Sequence, residues 1–358
     1  MSTRCAVVLS VLALFVVNVP DARATYDPLA SGATRLTLST SFMVLLKRNR
    51  VELSASDGAK LKGRTISFPV SGGKFDPRRA KGTVDHEGTL LLQAGRHRIR
   101  MGALLLRTTQ KHAPFSVKLG GSQLKLAETP KVVITRAGFG STIGIGSLTL
   151  SAKVAIRLGR KLHLRGVFEP GQALGSSATT ATPLTVALQG SGRISFELDP
   201  SFTAKLQSLF VAVNPIFPAE HPGPFAFPIF GGTLAPDSSS GRLAAQGALE
   251  FLQLGGGQVF WREPHLDFAD RLFTAEAEVD PEPPYGGKLG PVSVAGLSGG
   301  NPSADQKSRT LSLGGVTLTS EAATAAIFNE VFAKPQGKDG VFVAGEALGS
   351  LAFTARGQ

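Results

Sequence analysis

The densest group of chemically useful side chains in the sequence is the run Arg96, His97, Arg98 and Arg100. Alternate residues of a β-strand point to the same side, so a strand here would place the three arginines in one stripe. Guanidinium groups in a stripe bind phosphate or carboxylate well, although the same pattern also describes a solvated outer face. His97 offers an imidazole, a common ligand of haem iron. A single histidine without a spaced partner is more often an ordinary structural residue, and His86 allows the same two interpretations.

Two further patterns resemble catalytic or metal sites but lack the partners that the chemistry requires. The segment 296–300 (GLSGG) fits the GxSxG pattern of hydrolases, in which a helix follows the serine and a histidine comes later in the chain. Here Gly-Gly-Asn-Pro follows Ser298, and the last histidine is His265, so we expect a loop and no nucleophile. The acidic run 276–282 could bind a hard cation, but a solvated strand face is the simpler interpretation because Pro281 interrupts it. The sequence predicts a protein that is not an enzyme and has no metal site.

The composition is that of a globular protein with many turns. The 358 residues are 42% hydrophobic and 18% charged, and 42 glycines and 22 prolines favour short elements over long helical bundles. A chain of this length is enough for two domains. The one cysteine excludes a disulfide framework and a thiolate zinc site.

Residues 1–24 have the pattern of a secretory signal peptide. Arg4 precedes an apolar run from Cys5 to Val19, and Ala22-Arg23-Ala24 supplies the small residues of a cleavage site. This run is short for a membrane span, which needs about 20 apolar residues. We expect cleavage after Ala24, which leaves a mature chain without a transmembrane segment, either secreted or in the cell envelope.

Most of the remaining chain consists of two copies of one unit. The segment 68–73 (FPVSGG) returns as 227–232 (FPIFGG), and other matches keep the same order along both copies. These matches pair Ser41-Phe42 with Ser201-Phe202, Gly82 with Gly241, Gly88 with Gly247, Thr149-Leu150 with Thr317-Leu318, and Val167-Phe168 with Val341-Phe342. We assign residues 25–175 to the first copy and 191–358 to the second. The segment 176–190, which begins with small, uncharged residues (SSATTATP), is expected to be a linker.

Hydrophobic residues alternate along much of each copy, which predicts β-strands bounded by Gly, Pro and Asp. The alternation is clear in the segments 35–39, 89–92, 131–135 and 271–279. One helix is expected near the C-terminal end of each copy, at 152–162 and at 321–332. The sequence therefore predicts an all-β fold of two tandem β-sandwich-like domains, each with a short helix near its C-terminal end.

Charge separates the two copies. Residues 25–190 contain 25 Lys+Arg against 8 Asp+Glu, whereas residues 191–358 contain 11 against 17. A basic first copy indicates contact with an anionic surface, such as cell-wall polymer or lipid headgroups. Nucleic acid is disfavoured despite the pI of 10.1, because one Trp and two Tyr provide few rings for stacking on bases.

The order of these landmarks resembles that of HtaA-type domains, from the Ser-Phe pairs through the Phe-Pro and Gly-Gly motifs to the Gly-x-x-Leu-Gly segments at 171–175 and 345–349. This family is known from secreted and surface proteins of actinobacteria that capture haem. The resemblance implies an all-β fold with a surface haem pocket, in which a tyrosinate supported by a histidine holds the iron. The family's tyrosine lies three residues after the Phe of the Ser-Phe pair, where this sequence has Leu45 and Lys205.

The resemblance also implies which residues of the first copy would contact haem. His97 lies close to the place of the supporting histidine, and Arg96 and Arg98 would face the haem propionates. The tyrosine position is lost in both copies, and the only tyrosines after the predicted cleavage site are Tyr26 and Tyr285. An ammonium group is costly to bury without a partner, so the lysine at the second tyrosine position is expected to reach solvent or to pair with an acid.

We therefore predict a secreted or cell-envelope, non-enzymatic binding protein of HtaA type, with haem or a haem protein as its partner. The alternative is a structural or adhesive envelope module whose first copy docks on anionic wall polymer or lipid through Arg96, Arg98 and Arg100. Salt distinguishes the two hypotheses, because contacts between exposed charges weaken as ionic strength rises.

Overall fold

The structure is a computed structural model, and it describes residues 26–109, 114–129, 131–221, 223–280 and 287–358. The predicted signal peptide, Tyr285 and part of the acidic run 276–282 lie outside these residues. The first half of the described chain forms one β-sheet and the second half forms another, each with two α-helices. Within the described ranges, none of the helices has the length and apolar character needed to cross a membrane.

The first half contains twelve strands and two helices. They are β1 (Asp27–Leu38), α1 (Thr40–Arg48), β2 (Val51–Ser56), β3 (Lys60–Lys62), β4 (Thr65–Asp76), β5 (Lys81–His86), β6 (Thr89–Ala94), β7 (His97–Thr108), β8 (Phe115–Leu119), β9 (Ser122–Glu128), β10 (Val132–Ala137), β11 (Gly140–Leu150), α2 (Ala152–Lys161) and β12 (Ala173–Pro183).

The second half repeats this order with ten strands. They are β13 (Val186–Leu198), α3 (Pro200–Ser208), β14 (Val211–Ile216), β15 (Phe225–Leu234), β16 (Gly241–Ala245), β17 (Ala248–Gln253), β18 (Gln258–Asp267), β19 (Leu272–Asp280), β20 (Gly287–Asp305), β21 (Thr310–Ser320), α4 (Ala322–Phe328) and β22 (Ala347–Gly357). A π-helical turn, Asn329–Ala333, and a 3₁₀ turn, Lys334–Gln336, continue α4.

Each sheet closes on itself through antiparallel pairs. In the first half the strands run in the order β7-β5-β4-β1-β12-β11-β9-β8, and β8 pairs with β7 to complete a ring of eight. In the second half the order is β18-β16-β15-β13-β22-β21-β20-β19, and β19 pairs with β18. The all-β fold class and the helix near the C-terminal end of each half agree with the sequence prediction. The closing pairs join the strands of each half into one continuous sheet.

Helices α1 and α3, at the start of each half, were not predicted. Helix α1 begins right after β1, where Ser39 accepts a hydrogen bond from the Phe42 N–H and caps the helix. Phe42 and Leu46 are one turn apart and are both buried, which is the spacing of a short helix packed on a core. The apolar residues of β1 continue directly into this run, so the change from strand to helix spacing is hard to recognise in the sequence.

The segment 176–190 is not a linker, contrary to the sequence prediction. Strand β12 continues to Pro183 and pairs with both β1 and β11, and β13 begins at Val186. Along β12, Ser177, Thr179 and Ala181 are buried in alternation with more exposed residues. Small and polar residues suggested flexibility, but threonine and alternating burial suit the middle of a sheet. Along the chain, only residues 184–185 lie between the last strand of the first half and the first strand of the second.

The second glycine of the repeated Gly-Gly motif is required for the same physical reason in both halves. Gly73 and Gly232 have φ angles of 116° and 136°, which side chains of L-residues rarely adopt. A Cβ atom added at either glycine would lie 2.2 Å from a backbone carbonyl oxygen of the neighbouring strand. The first glycine of each pair, Gly72 or Gly231, has open space around it. Only the second glycine is therefore required by the close approach of two strands.

Two hydrophobic clusters form the cores, one in each half, and a few contacts connect the halves. Phe139 of the first half belongs to the cluster of the second, and its N–H donates to the Gln306 side chain at 3.2 Å. Asp27 at the start of β1 accepts a hydrogen bond from the Ala187 N–H at 3.0 Å. These contacts connect the two halves in addition to the chain itself.

Candidate ligand-binding site

His97 and His163 lie face to face in the first half of the chain. Their ring centroids are 3.9 Å apart and the ring planes differ by 27°. His97 begins β7 directly after a tight turn, and His163 follows the end of α2. Sequence analysis singled out His97 and missed His163, because no local pattern indicates that the residue behind α2 returns to the start of β7.

Secondary structure fixes both histidines. His97 is held by the antiparallel hairpin of β6 and β7, in which it pairs with Ala94. At the end of α2, Leu158 and Leu162 are each 1% exposed and anchor the helix in the core. His163 follows immediately with a left-handed φ of 57°, which turns the chain away from the helix axis. The two imidazoles are therefore brought together by elements that are well separated in sequence.

The surroundings favour the neutral form of His97. Its pKa is lowered first by desolvation, then by the neighbouring His163 and by the positive charge of Arg96. A neutral imidazole keeps a nitrogen lone pair, whereas an imidazolium has none to offer a metal. His97 can thus serve as a ligand to iron at neutral pH.

The arginines near this pair do not form a single stripe. Arg98 and Arg100 are exposed and alternate with buried Ile99 along β7, but Arg96 lies in the turn before the strand. Arg100 donates to Asp57 at 3.0 Å, which offsets part of its charge. Arg96 is close enough to His97 to lower its pKa, whereas Arg98 lies on the opposite face of β7 from His97, contrary to the expectation that both arginines face one ligand. Arg96 is therefore the guanidinium group that a ligand at the histidine pair would meet.

The other candidate residues from the sequence analysis make contacts that are typical of a structural role. His86 is 5% exposed and its ring nitrogens make hydrogen bonds with Thr34 and with the Leu104 carbonyl. Ser298 lies in the long strand β20 and pairs with Thr317, so it is part of a sheet and not of the loop that we expected. Glu278 of the acidic run pairs with Arg262 at 2.8 Å. Within the described ranges, no group of three or more His, Cys, Asp or Glu side chains is placed to hold a metal ion.

Comparison with known proteins gives matches among solved structures. A search of protein-family models and a search of curated proteins found no match. The C-terminal domain of HtaA from Corynebacterium glutamicum matches with 11% identity and a TM-score of 0.36, covering 44% of this chain and 99% of that one. The N-terminal domain of HtaA matches with 15% identity over 43% of this chain and 98% of that one, with a TM-score of 0.30. Heme binding protein HtaB from the same organism matches with 12% identity over 44% of this chain and 96% of that one, with a TM-score of 0.31.

The chain resembles tandem HtaA-type domains. This agrees with the resemblance that the order of landmarks in the sequence indicated. Leu45, which the sequence resemblance assigns to the family's tyrosine position, lies on α1, is partly buried and packs against the core of the first half. Lys205, assigned to that position in the second copy, lies on α3, and its ammonium donates to the Glu346 carboxylate, as expected for a lysine that needs an acidic partner. Neither position can supply a phenolate.

Tyr26 is the only tyrosine among the described residues, and it does not replace the lost one. It is 37% exposed, and the Lys74 ammonium lies 5.4 Å from the centre of its ring. A cation above the ring marks a surface contact at the edge of the first half. Among the described residues of the first half, the stacked imidazoles of His97 and His163 are therefore the groups that could hold iron.

Proposed function

We propose that the protein binds haem without altering it chemically, and that the first half carries the site. The observation behind this proposal is the stacked pair of His97 and His163 beside Arg96. Haem is the ligand class because the sequence landmarks resemble HtaA-type domains. The donor set also suits haem, since imidazole binds its iron and guanidinium groups bind its carboxylates.

The residues of the site have separate roles in this proposal. One of the two imidazoles presents a ring nitrogen to the iron, and the other supports it through the stacked contact. Arg96 in the turn contacts a propionate, whereas Arg98 points to the other face of β7 and is not part of the site. Arg100 contributes less because Asp57 already pairs with it.

Only one haem per chain is expected. The second half has glycines, Gly256 and Gly257, in the turn that corresponds to the start of β7. Its tyrosine position is occupied by Lys205, whose charge is engaged by Glu346. The second half therefore lacks both the phenolate and the imidazole at the corresponding place.

A haem titration of the purified protein tests the proposal. We expect a shift of the Soret band that saturates at one haem per chain. The double variant His97→Ala/His163→Ala should lose the shift, and each single variant should weaken binding by at least about tenfold. The control is His265→Ala, which removes an exposed histidine of the second half. A double variant that binds like the wild type, or a wild type without any shift at micromolar haem, would refute the proposal.

We further propose that the protein is exported. The support is the basic start, apolar run and Ala22-Arg23-Ala24 site of residues 1–24. Expression in the native host followed by fractionation should place the protein outside the cytoplasm, with an N-terminus at Thr25. Retention of residues 1–24 on a cytoplasmic protein would contradict export.

Docking on an anionic envelope surface is the second candidate function. It is favoured by the exposed side chains of Arg98 and Arg100 on one face of β7, in the half that carries the excess of basic residues. Binding to isolated cell wall or to anionic vesicles should then fall steeply between low and physiological salt. The variant Arg98→Ala/Arg100→Ala should weaken this binding and leave haem binding through the histidines in place.

A further inference from the structure

The second half contains a cavity of about 630 Å³ along one flank of α3. This volume is within the range of small-molecule pockets, about 300–1,000 Å³. Side chains of α3, of β14 and of the start of β15 form its walls, and among them Leu206, Phe225 and Val213 are apolar. Lys205 extends from the other flank of α3 toward Glu346. The cavity is therefore on the opposite side of the helix from the position of the HtaA-type tyrosine.

The first half fills the corresponding space with its own side chains. Helices α1 and α3 start at the matched Ser-Phe pairs, so Met43 corresponds to Thr203 and Leu53 to Val213. Met43 and Leu53 pack against the core of the first half. Replacement of methionine by threonine and of leucine by valine removes apolar volume from the flank of α3. The duplication thus provides an internal reference in which this space is closed.

Besides these two substitutions, a difference between the halves at the place of β3 leaves the side of the cavity open. In the first half, Leu61 of β3 packs against the core. In the second half the place of β3 is taken by a single bridge between Glu220 and Ala226, and the residue corresponding to Leu61 is His221. His221 is exposed, and its ring contacts Phe225 edge-on at 4.6 Å. The exposed His221 at the mouth of the cavity thus takes the place of Leu61, which packs against the core in the first half.

The rim of the cavity is apolar and exposed. Phe210 and Leu254 are 69% and 85% exposed, and the Leu254 N–H donates to the Phe210 carbonyl at 3.1 Å. The first half has Arg50 and Gly95 at these places, and Arg50 has the same left-handed backbone, with φ of 54° against 55° for Phe210. The backbone therefore accepts a charged residue here, and two apolar side chains at the mouth of a cavity mark a binding surface.

We infer that this cavity is a second ligand site, which takes a small apolar molecule that is neutral or positively charged. Its apolar walls suit an apolar body, and Thr203, Gln207 and His221 provide hydrogen-bonding groups. Glu197 is the one charged side chain in the lining, in a half of the chain with more acidic than basic residues. An anion such as haem, with its two propionates, finds no basic partner in the lining, whereas a neutral or cationic molecule meets no repulsion.

Dye binding to the purified full-length protein tests this inference. We expect the neutral dye Nile red to bind with one strong site per chain, and the anionic dye anilinonaphthalenesulfonate to bind at least about tenfold more weakly. The variant Thr203→Met/His221→Leu introduces the residues of the first half and should reduce Nile red affinity by at least about tenfold. Phe210→Arg, also a residue of the first half, should reduce it as well. Glu197→Gln should narrow the difference between the two dyes.

Phe230→Ser is the matched control, because Phe230 is an exposed aromatic residue, 51% exposed, outside the lining of the cavity. It should leave Nile red affinity unchanged. Urea unfolding of each variant shows whether the fold is kept. If folded Thr203→Met/His221→Leu binds Nile red like the wild type, or if Phe230→Ser removes binding, the dye occupies another surface and the inference is wrong. The haem variants His97→Ala and His163→Ala should not change dye binding, which keeps this test separate from that of the proposed function.

Discussion

Lys205 on α3 forms an ion pair with Glu346, which stands just before β22, and thereby ties the helix to the last strand of the second half. The two side chains are only 33% and 18% exposed, so each depends on the other for compensation of its charge. Loss of one partner leaves a partly buried charge, which costs more than loss of an exposed pair. The pair therefore stabilises the contact between α3 and the start of β22 in the second half.

The first prediction follows from this pair. Lys205→Ala should lower the free energy of unfolding by about 1–3 kcal/mol, because it leaves the Glu346 carboxylate unpaired. Adding Glu346→Gln should restore part of the loss, since it removes the charge that lacks a partner. Urea unfolding of the single and double variants measures both effects. Arg193→Ala is the control, because its pair with Glu220 is 56% and 61% exposed and is expected to contribute less than about 1 kcal/mol.

The second prediction concerns the required glycines. Gly73→Ala should destabilise the first half by more than about 2 kcal/mol, because the new Cβ would lie 2.2 Å from the Thr83 carbonyl oxygen at a φ of 116°. Its neighbour Gly72 has no heavy atom near the added Cβ, so Gly72→Ala should change stability by less than about 1 kcal/mol. Thermal unfolding of the two variants distinguishes them, and equal losses would contradict the close approach of β4 and β5.

The third prediction is a pH dependence at the contact between the halves. Burial raises the pKa of Asp27 from 3.8 to about 6, against the hydrogen bond from Ala187 and the charge of Arg136, which lower it. The folded state thus holds this proton more tightly than the unfolded state. The stability that protonation of Asp27 contributes is complete below about pH 4 and is lost as the pH rises through about 6.

Asp27→Asn should remove this pH dependence. Between pH 5 and pH 7.5 the wild type should lose roughly 1 kcal/mol that the variant keeps. His86 titrates in the same window with the opposite sign, because burial lowers its pKa, but it is present in both proteins and cancels in the comparison. Urea unfolding at both pH values measures the difference. A wild type and variant with parallel pH profiles would show that Asp27 is not protonated in the folded protein.

The fourth prediction separates His86 from the histidine pair. His86 fills a buried place and joins Thr34 of β1 to the Leu104 carbonyl of β7, at 2.6 Å and 3.0 Å. His86→Ala should therefore cost about 2–4 kcal/mol in unfolding free energy, from the cavity and the lost hydrogen bonds. The folded variant should bind haem as the wild type does. His265→Ala, at an exposed position, should change stability by less than about 0.5 kcal/mol.

Much of the fold could be predicted because strands leave a local signal. Alternating hydrophobic residues in segments such as 35–39 and 271–279 mark β1 and β19, and the matched motifs at 68–73 and 227–232 mark two copies of one unit. The segment 176–183 was wrongly predicted to be part of a linker because its small, polar residues resemble those of linkers. Only its pairing with β1 and β11 makes it a strand. Helix α1 was missed because its nine residues follow an apolar strand with only Ser39 between them.

The sequence alone determined the strand pattern, the duplication, the charge difference between the copies and the absence of tyrosine at positions 45 and 205. Each of these depends on residue types and spacings that are visible along the chain. Tertiary structure decided that His163 stacks on His97 and that Lys205 meets Glu346, because the packing of whole elements brings distant residues together. It also decided that the flank of α3 is open where that of α1 is filled, since a cavity depends on the summed volume of side chains from several strands.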